Sequence, residues 1–222
     1  MRKIAFSLLF MAAILRGYAQ DKIVVTKNFK FNDGIYRSFD HIQKNKPDWN
    51  WESVETNLVT SVQSLQTQIE YIRLKKTLQN IAIDSIWGVV IDGIPYIRLP
   101  KEFQRKELPV FSGLVLRGKI CYFQFDDIIE KRIPITAYIP ETGQPYVTKK
   151  ISQKQDIKRE KLLLFASGDI LDCTLNNVKA HISDDKDLLS TVNNLKVQEI
   201  QEKLFKCLLI YNDRNPAFIK GD

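Results

Sequence analysis

Two histidines and three cysteines are all that this 222-residue chain offers of the side chains that most often carry metals or serve as bases and nucleophiles. Outside its first twenty residues it has no apolar run approaching the ~20 residues that a membrane helix needs, and no internal repeat or low-complexity tract stands out. No G-x-S-x-G, H-E-x-x-H, P-loop or dinucleotide fingerprint occurs. Cys121, Cys173 and Cys207 sit among apolar neighbours at a spacing that matches no zinc site, and read as buried free thiols. An odd count permits at most one disulfide. These absences predict no catalytic, cofactor-binding or metal-binding residue, and lean away from an enzyme.

What is present begins with an export signature. Arg2 and Lys3 precede a short apolar segment, Ile4 to Leu15, and Gly17-Tyr18-Ala19 places small residues where a signal peptidase needs them. Residues 1–19 are therefore expected to be a cleaved signal peptide, with residues 20–222 as a single domain. No cysteine lies near the cleavage site, which argues against lipidation and leaves a periplasmic, outer-surface or secreted protein with no transmembrane segment. The formal charge of +7 includes Arg2, Lys3 and Arg16; without them 30 basic residues face 26 acidic ones. An exported chain whose basic stretch lacks interleaved aromatics is not expected to bind nucleic acid.

The most strand-like stretch is Ser85–Asp126. Asp92-Gly93 between Ile86–Ile91 and Ile94–Leu99 predicts a two-residue hairpin, with Val89 opposite Tyr96 and Val90 opposite Pro95. Strict alternation would put Trp87, Val89, Ile91, Ile94 and Tyr96 on one face, and Ile86, Val90, Ile97 and Leu99 on the other. Pro95 marks the second strand as an edge or bulged strand. A second hairpin joins Val110–Leu116 to Lys119–Phe125 through Arg117-Gly118, and a third joins Leu162–Ala166 to Asp169–Asp172. Ile23–Val25 suggests a short strand, Ser38 a helix cap, and residues 52–83 two strands with a turn near 63–66. Trp49 and Trp51 read as plugs at the edge of a core.

Pro134, Pro140, Gly143 and Pro145 make Asp127–Lys161 a long loop or irregular edge. It ends in a basic run (Lys149, Lys150, Lys154, Lys158, Arg159, Lys161) that reads as solvated or as a contact for an anionic partner. The remainder is helical. Thr174 or Asn176 opens a helix to Ile182, Ser183 caps another through Val192, and Lys196–Asn212 carries a stripe of Val197, Ile200, Leu204, Leu208 and Tyr211. Strands first and helices last give an α+β fold: an antiparallel sheet of hairpins with C-terminal helices on one face.

Three segments together, Gly34-Ile35-Tyr36 leading to Ser38-Phe39 and Asn45-Lys46-Pro47, Ile86-Trp87-Gly88 leading to Asp92-Gly93 and Tyr96-Ile97, and Ser167-Gly168-Asp169 before a closing Tyr211-Asn212, resemble a group of exported proteins typical of Bacteroidetes. The resemblance implies an envelope location and carries no activity, catalytic residue or cofactor. The leading reading is a non-enzymatic envelope protein that binds another protein or a surface component. A second is an envelope hydrolase using a Cys173/His181 dyad or a carboxylate pair, Asp126 with Asp127 or Asp169 with Asp172. A third is a small-ligand carrier whose cavity is lined by Trp87, Tyr96, Phe111 and Phe123.

Overall fold

The computed structural model describes residues 23–103 and 108–221, so the expected signal peptide lies outside the described residues. They form a sheet-rich, antiparallel α+β fold. In chain order the strands are β1 (Val24–Val25), β2 (Gly34–Tyr36), β3 (Val54–Ser61), β4 (Gln66–Leu74), β5 (Gly88–Ile91), β6 (Ile94–Arg98), β7 (Val110–Leu116), β8 (Ile120–Tyr138), β9 (Pro145–Leu164), β10 (Ile170–Asp172) and β11 (Ala217–Phe218). The helices are α1 (Phe39–Gln43), α2 (Leu175–His181), α3 (Lys186–Asn193) and α4 (Ile200–Arg214). The main sheet runs β10-β9-β8-β7-β6-β5-β2, and the β3–β4 hairpin joins it through β7. β1 pairs with β11, tying the two ends of the described chain together.

The central hairpin has the register read from its turn: Val89 faces Tyr96, Val90 faces Pro95 and Ile91 faces Ile94. Asp92 and Gly93 both take positive φ, as the tight turn requires. Two corrections follow. β6 is an interior strand, because Tyr96–Arg98 also pair with β7; Pro95 is tolerated because that second ladder starts only at Tyr96. Trp87 and Ile86 exchange faces. β5 begins at Gly88, so the pleat does not extend to residues 86 and 87: Ile86 packs beside Val89 and Tyr96, while Trp87 packs on Phe39.

β7 divides the sheet. Its residues Phe111–Gly113 pair with β6, Val110–Ser112 pair with β4, and Leu114 and Leu116 pair with β8 across a register shift. Three cores result. One gathers Phe31, Tyr36, Val90, Ile97, Phe123, Phe125 and Leu163; a second gathers Ile35, Ile69, Ile72, Val89, Tyr96 and Phe111 under the β3–β4 hairpin. The third joins Leu116, Ile120, Tyr122 and Leu162 to α2, α3 and α4. In β4 the buried residues are Thr67, Ile69 and Ile72, because a register shift opposite Asn57/Leu58 reverses the alternation after Ile69. Trp49 and Trp51 pack on the second core, and the Trp51 indole N–H donates to the Val90 carbonyl at 2.9 Å.

Among the helices, Thr174 caps α2 and Ser38 caps α1. Asp185, not Ser183, caps α3, since it sits next to Lys186 and accepts from Leu188 N; the Ser183 hydroxyl turns back to the Ala180 carbonyl. α4 begins at Ile200, so Val197 lies in the preceding 3₁₀ turn and is 85% exposed, while Leu204, Leu208 and Tyr211 are buried.

Besides its apolar packing, α4 is locked to the sheet backbone by the Asn212 side chain. The Asn212 carboxamide accepts from Ile120 N at 2.9 Å and donates to Ile120 O at 2.8 Å, doing for that residue what a neighbouring strand would do. A Cβ on Gly118 would stand 2.5 Å from this amide, so close approach requires glycine there. Replacing Asn212 by Ala strands a donor and an acceptor and should cost about 1–3 kcal/mol for each group left dry. Urea unfolding of Asn212→Ala should show a lower midpoint at unchanged slope; an unchanged midpoint would refute the lock.

Candidate functional site: a projecting β-arm

Asp127–Lys161 is neither a loop nor irregular. Its residues belong to the longest hairpin in the chain, paired in unbroken register from Ile120/Leu164 out to Ala137/Val147. The breakers sit where a ladder tolerates them. Gly143 has positive φ in the tip and Pro145 is the first residue of β9. Pro134 lies opposite Lys150. Phe165 N donates towards β8 and Cys173 N reaches the Glu160 carbonyl from the other side, so odd residues of β9 bond inward and even residues point outward. The Pro134–Lys150 pair is therefore a non-hydrogen-bonded one, and the missing N–H of Pro134 would have faced solvent.

Only the root of this hairpin is flanked. β7 reaches Tyr122 and Phe123, and β10 covers Lys161–Leu163. From Ile128/Asp156 to Tyr138/Pro145 the two strands run with no third strand beside them among the described residues. At ~3.4 Å per residue this arm is about 35 Å long.

Alternation gives the arm two unlike faces. Cys121, Phe123, Phe125 and Leu163 at the root belong to the first core, and the same face carries Ile129, Ile133, Ile135, Val147, Ile151 and Ile157 outward. Ile133 stands directly opposite Ile151. Ile135 is 50% exposed and Ile151 45%. That face also carries Gln153 and Gln155, with Lys131 and Lys149 as its charged residues beyond Ile128/Asp156 and Asp127 and Arg159 at the root. The opposite face bears Glu130, Arg132, Thr136, Thr148, Lys150, Ser152, Lys154 and Asp156 beside a single isoleucine, Ile128, with Thr136 and Thr148 hydroxyls 2.9 Å apart and Ser152 donating to Glu130. At the root, Asp127 is buried against Arg159 at 2.8 Å, and Phe103 lies under the Arg159 guanidinium. A hollow of about 610 Å³ opens there between Glu102, Phe103, Asp127, Ile129 and Lys154.

The residues weighed for chemistry are placed elsewhere. No hydrogen bond joins His181 to Cys173 among the described residues. Cys173 instead lines a hollow of about 400 Å³ with Tyr122, Glu160, Leu204 and Phe205, and burial and the Glu160 carboxylate push its thiol up to about 12. Cys121 is likewise pushed up to about 12 by burial, and Cys207 is raised for the same reason. All three thiols are free. Asp126 and Asp127 are neighbours on a strand and so point to opposite faces. Asp169 bonds to Ser167 and Asp172 pairs with Lys161. The four rings of the carrier reading do not line one cavity: Trp87 and Phe123 pack in the first core, Tyr96 and Phe111 in the second.

One arrangement escaped the sequence. His41 Nδ1 lies 2.7 Å from Asp48 Oδ2, and that carboxylate also accepts from Arg37 N. Asp48 follows Lys46-Pro47, and only the return of the chain beside β2, where Trp49 bridges to Ile35, brings it to the helix. The carboxylate orients the imidazole as in a general-base pair. Ser38, the nearest hydroxyl in sequence, is occupied in capping His41 N. Among the described residues no three His, Cys, Asp or Glu side chains converge as a metal site, and no helix is long and apolar enough to cross a membrane.

Neither protein-family models nor curated proteins nor solved structures yield a match to the chain.

The thiol environment makes a kinetic prediction. With the thiol of Cys173 at about 12, thiolate at neutral pH is roughly a thousandfold scarcer than for an ordinary cysteine. Alkylation of Cys173, followed by peptide mass mapping, should be slow at pH 7.5 and rise about tenfold per pH unit through pH 10. A plateau below pH 9 would show an activated thiol.

Proposed function

We propose that the chain is an exported, non-enzymatic envelope protein that binds another protein or a surface component, and that the β-arm is its docking element. One observation carries the reading: an isoleucine face continuous with the core is left uncovered on a two-stranded ribbon. An isolated pair of strands is marginally stable in water, and gains most from a surface that covers its apolar face. Exposed contiguous apolar surface on an otherwise packed body marks an interaction site. The body supports this division of labour. The helices between Leu175 and Arg214 share a core with Leu116, Ile120, Tyr122 and Leu162, which supports a sheet covered by helices on one face at the root and bare beyond it.

Residues 1–19 support export, and the resemblance to envelope proteins of Bacteroidetes points the same way. The hydrolase reading gains little. The Cys173 thiol is held protonated with no hydrogen bond to His181 among the described residues, and Asp127 is spent on Arg159.

Two measurements test the proposal. The exported protein should begin at Gln20 by intact mass; a retained Met1 would contradict export with cleavage. A photo-crosslinking residue at Ile133 or Ile151 should give a discrete adduct in the cell envelope, whereas one at Val59, which is 65% exposed on β3, should not. Equal labelling from all three positions, or none, would contradict docking by the arm.

A further inference from the structure

The proposed docking role leaves the partner's chemistry open, and the inference here rests on that role. The two long edges of the arm are not equivalent. Along β8, Pro134 removes a backbone donor from the outward row, a device that discourages strand addition. Along β9, outward backbone groups belong to the even residues, and from Thr148 to Lys158 no proline interrupts them. This edge is already used for pairing at its root. β10 lies antiparallel on Lys161–Leu163, and Cys173 N continues the ladder to the Glu160 carbonyl before the chain turns into α2. Among the described residues the rest of the edge is an open continuation of that ladder.

Side chains beside this edge define what could lie there. On one face stand Ile151 and Ile157 with Gln153 and Gln155 between them, backed by Ile133 and Ile129 across the ladder. On the other stand Lys150, Lys154 and Lys158 against Asp156. No ion pair engages Lys150, Lys154 or Lys158 among the described residues; Glu130, directly opposite Lys154, bonds to Ser152 instead.

We propose that the outer edge of β9, Thr148–Lys158, accepts an added strand from a partner protein, an extended segment in which apolar and acidic residues alternate. Its backbone completes the outward hydrogen bonds of β9. Because successive side chains in a strand point to opposite faces, its apolar residues extend the isoleucine face while its carboxylates meet the three lysines. A second copy of this chain is a poor occupant, since each β9 edge would bring three lysines and one aspartate to the other. A bilayer is also a poor one, because open strand edges find no partner in hydrocarbon.

The test uses the full mature chain and two fluorescent eleven-residue probes, one alternating isoleucine with glutamate and one alternating isoleucine with lysine. Anisotropy should show the glutamate probe binding at least tenfold tighter. Ser152→Pro deletes one outward N–H while leaving the inward β8–β9 bonds intact, and should weaken that probe at least tenfold with unchanged circular dichroism. Lys150→Glu with Lys154→Glu should reverse the preference between probes. Equal affinity for both probes, or undiminished binding by Ser152→Pro, would overturn the inference, as would self-association in ultracentrifugation that Ser152→Pro abolishes, or binding confined to vesicles of anionic phospholipid. An arm that crosslinks from Ile151 yet ignores Ser152→Pro would leave docking standing and remove strand addition. Absence of both results would remove the docking role itself.

Discussion

The structure depends on one hairpin serving two cores at once. Between Ile120 and Phe125, alternate side chains of β8 enter the core beneath the helices and the core that holds Phe31 and Tyr36. Leu162 and Leu163 of β9 divide in the same way. Strand geometry forces this division, because neighbouring residues must face opposite sides. The backbone bonds of the hairpin are therefore covered on both faces at the root, where few openings to water exist. The arm is the same ladder continued past the point where covering elements end. Its root is fixed by the body, and its far end is held by its own pairing alone.

That continuity explains why an apolar face can persist so far into solvent. Register at the root dictates which residues share a face all the way to the tip, and a slip by one residue would invert the pattern. Charge is distributed by the same rule. Lysines at every fourth position, 150, 154 and 158, share one face and leave Ile151 and Ile157 on the other. Neither feature needs a special sequence motif. Each follows from a period of two imposed on a stretch whose composition looks merely basic.

Much of the body was legible from residues alone. Asp92-Gly93 set the central turn and hence the register, and the tip of the β3–β4 hairpin and the turn at Ser167-Gly168 fell where composition placed them. The distinctive residues make packing and backbone contacts: the Tyr36 hydroxyl donates to the Asn32 carbonyl, Trp87 packs on Phe39, and Asn212 closes Ile120. The arm is hidden in the sequence because a proline breaks a ladder only where its missing N–H would have faced the partner strand, and composition does not show that direction. Pro95 in β6 and Pro134 in β8 both occupy non-hydrogen-bonded pairs, but the partner strand of Pro134 is not apparent from a run of lysines and glutamines. The His41–Asp48 contact was hidden for a different reason, since nothing local indicates that the chain after Pro47 returns beside β2. Val197 fitted a helical period but falls just outside the helix, where burial no longer follows the period.

The central claim is that the arm is an element left incomplete in the isolated chain. Residue-resolved amide hydrogen exchange tests it most directly, because opening free energies separate a supported ladder from an unsupported one. In the purified chain, amides of Val89, Ile97 and Phe123 should be protected by orders of magnitude more than those of β8 beyond Ile128 and β9 before Asp156, and outward amides such as those of Ser152 and Lys154 should exchange fastest. Protection in the arm equal to that of the body would contradict the account, since the ribbon would then be complete without a partner.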